Sequence, residues 1–213
     1  MEMKIFIVGS TGRVATKLIK QLALEDYEIF AGARSPEKVL KDPHVTPLKL
    51  DLHDDLETLS KIVKGVDVIY FVAGSRGRDL LQTDAFGAVK VMLAAKSNHI
   101  NRFIMLSSAF SLEPEQWKNK GMENLLDYNI AKFFADNYLV NQSNLDYTIL
   151  QAAALIDEEG SHKISINENS GVKNTIQNVA ETLAAIIKFE NTNQKIIKMS
   201  DGETPIDKAL KQV

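Results

Sequence analysis

The chain has 213 residues, of which 45% are hydrophobic, and a formal net charge of −3 at pH 7. This length fits a single domain with a substantial core, and the mildly acidic balance excludes the strongly basic surface that would attract nucleic acid or an anionic membrane. The absence of cysteine excludes disulfide bonds and thiol chemistry. We find no signal peptide and no apolar run of about 18 residues, so we expect a cytoplasmic protein.

The first predicted element is a strand that ends in a glycine turn. The apolar run from Ile5 to Val8 is typical of a strand buried on both faces, and it breaks at Gly9. Val14 and Leu18 then recur at helical spacing, so we expect a helix from about Gly12.

A strand, a glycine turn and a helix N-terminus together form an anion site, because free backbone N–H groups and the helix dipole point at the turn. The spacing is G-x-x-G-x-x-A, with Ala15 as the third small residue, rather than the usual G-x-G-x-x-G. The pattern favours a bound dinucleotide over a βα loop without a ligand. The predicted cofactor-binding residues here are Gly9, Ser10, Thr11, Gly12, Arg13 and Val14.

Strands alternate with helices along the next 130 residues. Predicted strands cover residues 27–34, 45–50, 66–73, 103–106 and 146–150, and predicted helices begin at Ser35 and cover 56–63, 81–92 and 125–140. This alternation predicts an α/β protein with a doubly wound parallel sheet, the NAD(P)-binding Rossmann fold. Its ligand crevice lies beyond the carboxyl ends of the strands.

The last 60 or so residues are less regular and predict a small C-terminal lobe over the crevice. We expect a single domain, residues 1–213, with a cofactor-binding core at 1–150 and a substrate-side lobe at 151–213. The four histidines (44, 53, 99 and 162) show no metal-motif spacing, so we expect no metal site.

Arg34 and Ser35 follow the second strand, where NAD-binding folds place an acid for the ribose hydroxyls and NADP-binding folds place a cation for the 2′-phosphate. Arg13 is a second candidate for that phosphate. Each arginine alone is also compatible with an ordinary surface position. With no acid at the strand end, the pair favours NADP over NAD.

Another glycine-rich turn, Gly74-Ser75-Arg76-Gly77, follows the fourth strand. We expect Ala73 and Gly74 to pass close to the cofactor, and the alternative is a flexible surface loop.

Tyr128 and Lys132 carry the strongest chemical signal. Residues four apart share a helix face, and a nearby ammonium stabilises phenolate and so lowers the pKa of a tyrosine from about 10. The spacing Y-x-x-x-K is common by chance in surface helices. It gains weight here because it lies between the fifth and sixth strands, after Ser107-Ser108.

The glycine turn, the Ser-Ser strand end, Y-x-x-x-K and the segment Leu145-Asp146-Tyr147-Thr148-Ile149-Leu150 together resemble the atypical short-chain dehydrogenase/reductases, in their small NAD(P)H-binding, epimerase/dehydratase-like branch. The resemblance covers nearly the whole chain. It implies Tyr128 as general acid, Lys132 on the nicotinamide ribose, and Ser108, or else Ser107, on the substrate carbonyl. It also implies that Asp51 and Leu52 line the adenine, although Asp51 is equally compatible with a helix N-cap.

The chain departs from the resembled family after the sixth strand. That family often has Arg-Pro-Gly there, whose backbone holds the nicotinamide carboxamide, whereas this chain has Gln151-Ala152-Ala153. The lone Trp117, between Ser108 and Tyr128, either caps a bound substrate or packs on the surface.

The favoured function is NADP(H)-dependent hydride transfer to or from a small carbonyl or conjugated acceptor, in a monomer or homodimer that binds neither nucleic acid nor membrane. Two alternatives stay open: a redox sensor that binds NADP(H) without turnover, and a flavin or tetrapyrrole reductase in which Tyr128 matters little.

Overall fold

The computed structural model describes residues 2–119, 123–167 and 173–213. The strands are β1 (Lys4–Val8), β2 (Glu28–Ala33), β3 (Val45–Lys49), β4 (Val68–Phe71), β5 (Arg102–Ser108), β6 (Asp146–Ala152), β7 (Ala154–Ile156), β8 (Lys163–Ile166), β9 (Lys173–Thr175), β10 (Lys195–Asp201) and β11 (Thr204–Pro205). The α-helices are α1 (Arg13–Leu22), α2 (Leu56–Ile62), α3 (Phe86–Ser97), α4 (Gln116–Asn119), α5 (Leu126–Asn141), α6 (Ile176–Ile186) and α7 (Ile206–Leu210).

The main sheet has the order β11-β8-β10-β6-β5-β4-β1-β2-β3. Strands β1 to β6 are parallel to one another, and β10 is parallel to β6, whereas β8 pairs antiparallel with β10 and β11. The chain proceeds outward from β1 through β2 and β3, then returns to β4 on the other side of β1. This reversal confirms the predicted doubly wound Rossmann fold and places its switch point between β1 and β4.

Both faces of the sheet are covered, which explains why β1 is uniformly apolar rather than alternating. Ile5 and Ile7 belong to the core that includes Leu18 of α1 and Leu183 of α6. Their neighbours Phe6 and Val8 point to the opposite core, together with residues of α2, α3 and α5.

Residues after 150 extend the sheet rather than only capping it. β10 lies beside β6, with Ile197 paired to Leu150, and β8 and β11 complete that edge. β7 and β9 pair in a separate small sheet. The division at residue 150 stays a prediction.

Two local elements differ from the predicted helices. The segment after Ser35 forms only a three-residue 3₁₀ turn, Pro36–Lys38, and Leu80–Ala85 forms a π-helical turn before α3. Further 3₁₀ turns cover Glu123–Leu125 and Glu190–Thr192. Within the described residues, no helix combines the length and the apolar character needed to cross a bilayer.

Candidate functional site

The glycine turn after β1 is fixed by close backbone packing. Gly9 has a φ of +89°, and a β-carbon placed on it would lie 2.6 Å from the Cα of Ala73. The N–H groups of Gly9 and Ser10 both donate to the Gly32 carbonyl, at 3.0 and 3.1 Å. The turn therefore rests between the ends of β2 and β4, the two strands that flank β1.

The N-terminus of α1 is open to an anion. Gly12 is the N-cap residue, no side chain caps the helix, and its first turn contains no acid. Thr11 and Arg13 are exposed, whereas Val14 is buried. Because the first N–H groups of a helix lack internal partners, this end suits a pyrophosphate with Arg13 beside it.

Ser10 is fully buried, and its hydroxyl donates to the Ile7 carbonyl at 2.7 Å. Its side chain thus stabilises the turn from within, and contact with a ligand would fall to its backbone.

Arg34 is exposed directly after β2, and a second cation lies near it. The Lys49 ammonium donates to the Arg34 carbonyl at 2.5 Å. Ser35 is half-buried, and its side chain does not cap the 3₁₀ turn that follows. The pKa of Asp79 is lowered mainly by hydrogen bonds from Thr83 and His53, and Arg34 contributes through its charge.

Asp51 and Leu52 follow β3, and a buried lysine holds their turn in place. Lys90 of α3 is only 6% exposed, and its ammonium donates to the carbonyls of Leu52 and Asp54, at 2.6 and 2.7 Å. The N-cap of α2 is Asp55, which accepts from the Thr58 N–H at 2.8 Å, rather than Asp51. The carboxylate of Asp51 accepts from the His53 N–H at 3.0 Å.

The turn after β4 is held by a buried acid. Asp84, in the π-helical turn, is fully buried, and its Oδ2 accepts from the Ser75 N–H at 3.0 Å. Gly74 is exposed beside it. π-helical turns are rare and often occur at functional sites, and this one aims a carboxylate at the predicted cofactor turn.

Tyr128 and Lys132 lie on one face of α5. The Lys132 ammonium is 5.9 Å from the centre of the Tyr128 ring, and it donates to the Leu106 carbonyl of β5 over 3.4 Å. Lys132 is 3% exposed and Tyr128 is half-buried. The pair therefore meets β5 close to its carboxyl end, where Ser108 is the last residue.

The two serines at the end of β5 differ in their surroundings. Ser107 is buried, and its hydroxyl donates to Oδ2 of Asp136 at 2.6 Å. Ser108 is half-buried. Because the Ser107 hydroxyl is engaged inside the protein, Ser108 is the better placed of the two to meet a substrate.

A model of the NAD(P)H-binding family matches residues 9–190. The chain belongs to this family. It is a member of the atypical short-chain dehydrogenase/reductases. The chain is 45% identical to the oxidoreductase ylbE of Lactococcus lactis, and the two structures superpose with a TM-score of 0.96. The match covers 99% of this chain and 96% of the ylbE chain. It is 31% identical to the uncharacterized sugar epimerase YhfK of Bacillus subtilis, over 99% of this chain and all of that one. It is also 27% identical to the photosystem II assembly factor Ycf39 of Synechocystis, over 99% of this chain and 61% of that protein.

As in other NAD(P)H-binding folds, the sheet order brings the predicted site residues to one edge. Strands β5, β4, β1, β2 and β3 are neighbours in that order; Ser108 ends the first of them, and Ala73, Gly9, Arg34 and Asp51 follow the other four. The resident cofactor of the family fits this edge, because the glycine turn leads into the N-terminus of α1, which has no side-chain cap and no acid in its first turn.

At the Arg-Pro-Gly position of the family, this member has a buried glutamine in a hydrogen-bonded network. Gln151 donates to the Ser111 hydroxyl at 2.8 Å, and Ser111 donates to Oδ2 of Asp136 at 2.5 Å. Burial raises the pKa of Asp136 to about 6, against the hydrogen bonds from Ser107 and Ser111 and the charge of Lys132, which lower it.

Sequence reasoning missed three buried charged residues that support the family's cofactor edge, namely Asp84, Lys90 and Asp136. The sequence feature that marks each of them is a charged residue at a helical position whose neighbours on the same face are apolar. Trp117 is 8% exposed, its indole N–H donates to the Phe110 carbonyl at 2.8 Å, and its ring packs edge-on against Phe133, so it packs against the protein, and its contact with a substrate stays a prediction. In the described parts of the chain, no cluster of three or more His, Cys, Asp or Glu is arranged to hold a metal.

Proposed function

We propose that this protein is an NADP(H)-dependent oxidoreductase that transfers hydride to or from a small carbonyl or conjugated acceptor. The observation that carries the proposal is the position of Tyr128 and Lys132 on one face of α5, with the ammonium 5.9 Å from the phenol ring and bonded to β5. A phenol and a buried ammonium beside the end of a central strand suit general acid catalysis.

Reduction of a carbonyl needs a hydride on carbon and a proton on oxygen. A bound nicotinamide supplies the hydride. Tyr128 gives its hydroxyl proton to the acceptor oxygen, and the charge of Lys132 stabilises the phenolate that remains. Ser108 donates a hydrogen bond to the same oxygen and holds it in place.

We propose NADPH as the preferred cofactor, because three cations lie at the ends of the elements that border the expected 2′-phosphate position. Arg34 is exposed at the end of β2, the Lys49 ammonium lies against its carbonyl, and Arg13 is exposed at the start of α1. A guanidinium matches the geometry of a phosphate through paired hydrogen bonds.

We also propose that residues 151–213 form the substrate side of a single domain. Support comes from the end of β6, where Ala152 is paired with Ser108 and the Ala153 N–H donates to Oδ1 of Asn174 at 2.6 Å. The C-terminal residues are thereby tied to the catalytic edge.

The test is a screen of NADPH oxidation against aldehydes, quinones and flavins, followed by kinetics of Tyr128→Phe. General acid catalysis contributes about 10²–10⁴-fold, so kcat should fall by that factor while NADPH affinity is unchanged. Tyr138→Phe is the matched control, since Tyr138 is also half-buried on α5. An unchanged kcat in Tyr128→Phe would remove the catalytic assignment, and a loss of less than a few-fold would favour a flavin or tetrapyrrole reductase.

A second candidate function is an NADP(H)-binding sensor that acts through a partner without turnover. Gln151 favours it, because the Arg-Pro-Gly backbone that holds the nicotinamide in the family is replaced, and the relative Ycf39 is named an assembly factor rather than an enzyme. The same screen separates the two, since a sensor would bind NADPH and oxidise it with none of the acceptors.

A further inference from the structure

The buried carboxyl of Asp136 lies one helical turn beyond Lys132 and joins α5 to the end of β5. Asp136 is fully buried, and its Oδ2 accepts hydrogen bonds from the hydroxyls of Ser107 and Ser111. Its Oδ1 has no hydrogen-bond partner in the described part of the chain.

Among the charged groups around Asp136, Lys132 is the one that acts as its counter-charge. Lys132 is the charged residue whose field acts on the carboxyl. The π-helical turn and α3 also pack against α5. Their buried charges are engaged elsewhere, since Asp84 accepts from the Ser75 N–H and Lys90 donates to the carbonyls of Leu52 and Asp54. β6 contributes the neutral Gln151.

Lys132 in turn is weakly held by its other neighbours. The residue is 3% exposed, and the hydrogen bond from its ammonium to the Leu106 carbonyl is long, at 3.4 Å. A buried ammonium needs a compensating charge, and residues four apart on a helix face each other. Tyr128, Lys132 and Asp136 thus form one stripe along α5.

We propose that Asp136 is a positioning residue for Lys132: its ionised carboxylate holds the buried ammonium in the orientation that meets the cofactor ribose. Gln151 is part of the arrangement. Its amide reaches Asp136 through Ser111, so an arginine here, as the family often has, would extend a guanidinium toward the carboxylate and compete with Lys132 for it.

The experiment measures NADH affinity from pH 5.5 to 8 for the wild type, Asp136→Asn, Lys132→Met and the double variant. NADH is the probe because it lacks the 2′-phosphate, which titrates in this range. Asp136→Asn should weaken binding at pH 8 by roughly fivefold or more, as expected for coupled sites. In the Lys132→Met background the same change should have no further effect.

The pH dependence of NADH affinity distinguishes a positioning role of Asp136 from a purely structural one, because a structural role would not make binding follow the ionisation of the carboxyl. Wild-type affinity should fall as pH drops through the Asp136 pKa near 6 and reach the level of Asp136→Asn, whose own profile should be flat. Asp127→Asn is the control, because Asp127 is an exposed acid of the same helix, and it should follow the wild type. Equal losses from Asp136→Asn with and without Lys132, or parallel pH profiles, would overturn the proposal.

Gln151→Arg provides an independent variant should Asp136→Asn fold poorly. It should reproduce the weaker and pH-independent binding, and a wild-type profile in a folded Gln151→Arg protein would contradict the inference. The proposal rests on the proposed function only for the role of Lys132 at the cofactor. Because the readout is binding, a protein that turns over no acceptor still tests it.

Discussion

The backbone of Ala73 fills the space in which residue 9 would carry a β-carbon, because an ideal Cβ on Gly9 would lie 2.6 Å from the Ala73 Cα. The end of β4 and the turn after β1 are thus in direct backbone contact. Gly9→Ala cannot be accommodated by moving a side chain.

We expect Gly9→Ala to destabilise the protein by more than its backbone conformation alone costs, which is about 1–3 kcal/mol for a residue at positive φ. Gly65→Ala is the control, since Gly65 has a similar φ of +83° but no atom within 4 Å of its would-be Cβ. Denaturant unfolding of both variants measures the difference. Equal free energies of unfolding would mean that the contact with Ala73 is unimportant.

Gly12→Val should abolish binding of both NADPH and NADH and leave the fold intact. Gly12 has φ −71° and ψ 156°, which any residue can adopt, and its β-carbon would lie 3.2 Å from the Gly9 carbonyl oxygen, a contact that a small shift of the turn relieves. Its side chain would instead occupy the pyrophosphate position at the α1 N-terminus. Calorimetric titration measures binding, and circular dichroism checks the fold. Retained NADPH affinity in a folded variant would contradict the cofactor position.

Arg34→Ala should remove most of a preference for NADPH over NADH. A charge-assisted contact to phosphate is worth about 1.5–3 kcal/mol, or roughly 10- to 150-fold in affinity. NADH binding should stay nearly unchanged. Lys38→Ala, which removes an exposed cation of the following turn, is the control and should keep the preference. Equal wild-type affinities for the two cofactors would show that no such preference exists.

The stability of the protein should depend on the ionisation of Asp136. Its pKa is raised from 3.8 to about 6 in the folded state, so the folded protein binds more protons than the unfolded chain between these values. The contribution of Asp136 to stability is therefore fully present below about pH 4 and lost as pH rises through about 6. The loss amounts to about 3 kcal/mol at pH 7.

Asp136→Asn keeps an oxygen that can accept from Ser107 and Ser111 and removes this dependence. Its stability relative to the wild type should therefore rise by about 3 kcal/mol between pH 4 and pH 7. Urea unfolding at several pH values measures the difference. A constant difference across this range would mean that the carboxyl titrates normally.

The positions that could be predicted from the sequence are those that follow strand ends. Gly9, Arg34 and Ser108 follow apolar runs, and the parallel order of the sheet then places them on one edge. Periodicity marks Asp84 and Asp136 as charged residues at apolar positions but does not identify their partners, which lie 9 and 29 positions away along the chain. That β10 extends the main sheet could not be predicted from the sequence for a similar reason, because its pairing with β6 joins segments that are distant along the chain.

The π-helical turn at Leu80–Ala85 also constrains how the length of this segment can vary. Each residue of an α-helix turns the chain by about 100°, so deleting one residue here would let α3 begin in regular geometry but would rotate Asp84 away from the Ser75 N–H. Insertions or deletions between residues 79 and 85 should therefore be poorly tolerated in homologues and in engineered variants. The exposed turn at Gly65, between α2 and β4, should accept changes of length far more readily.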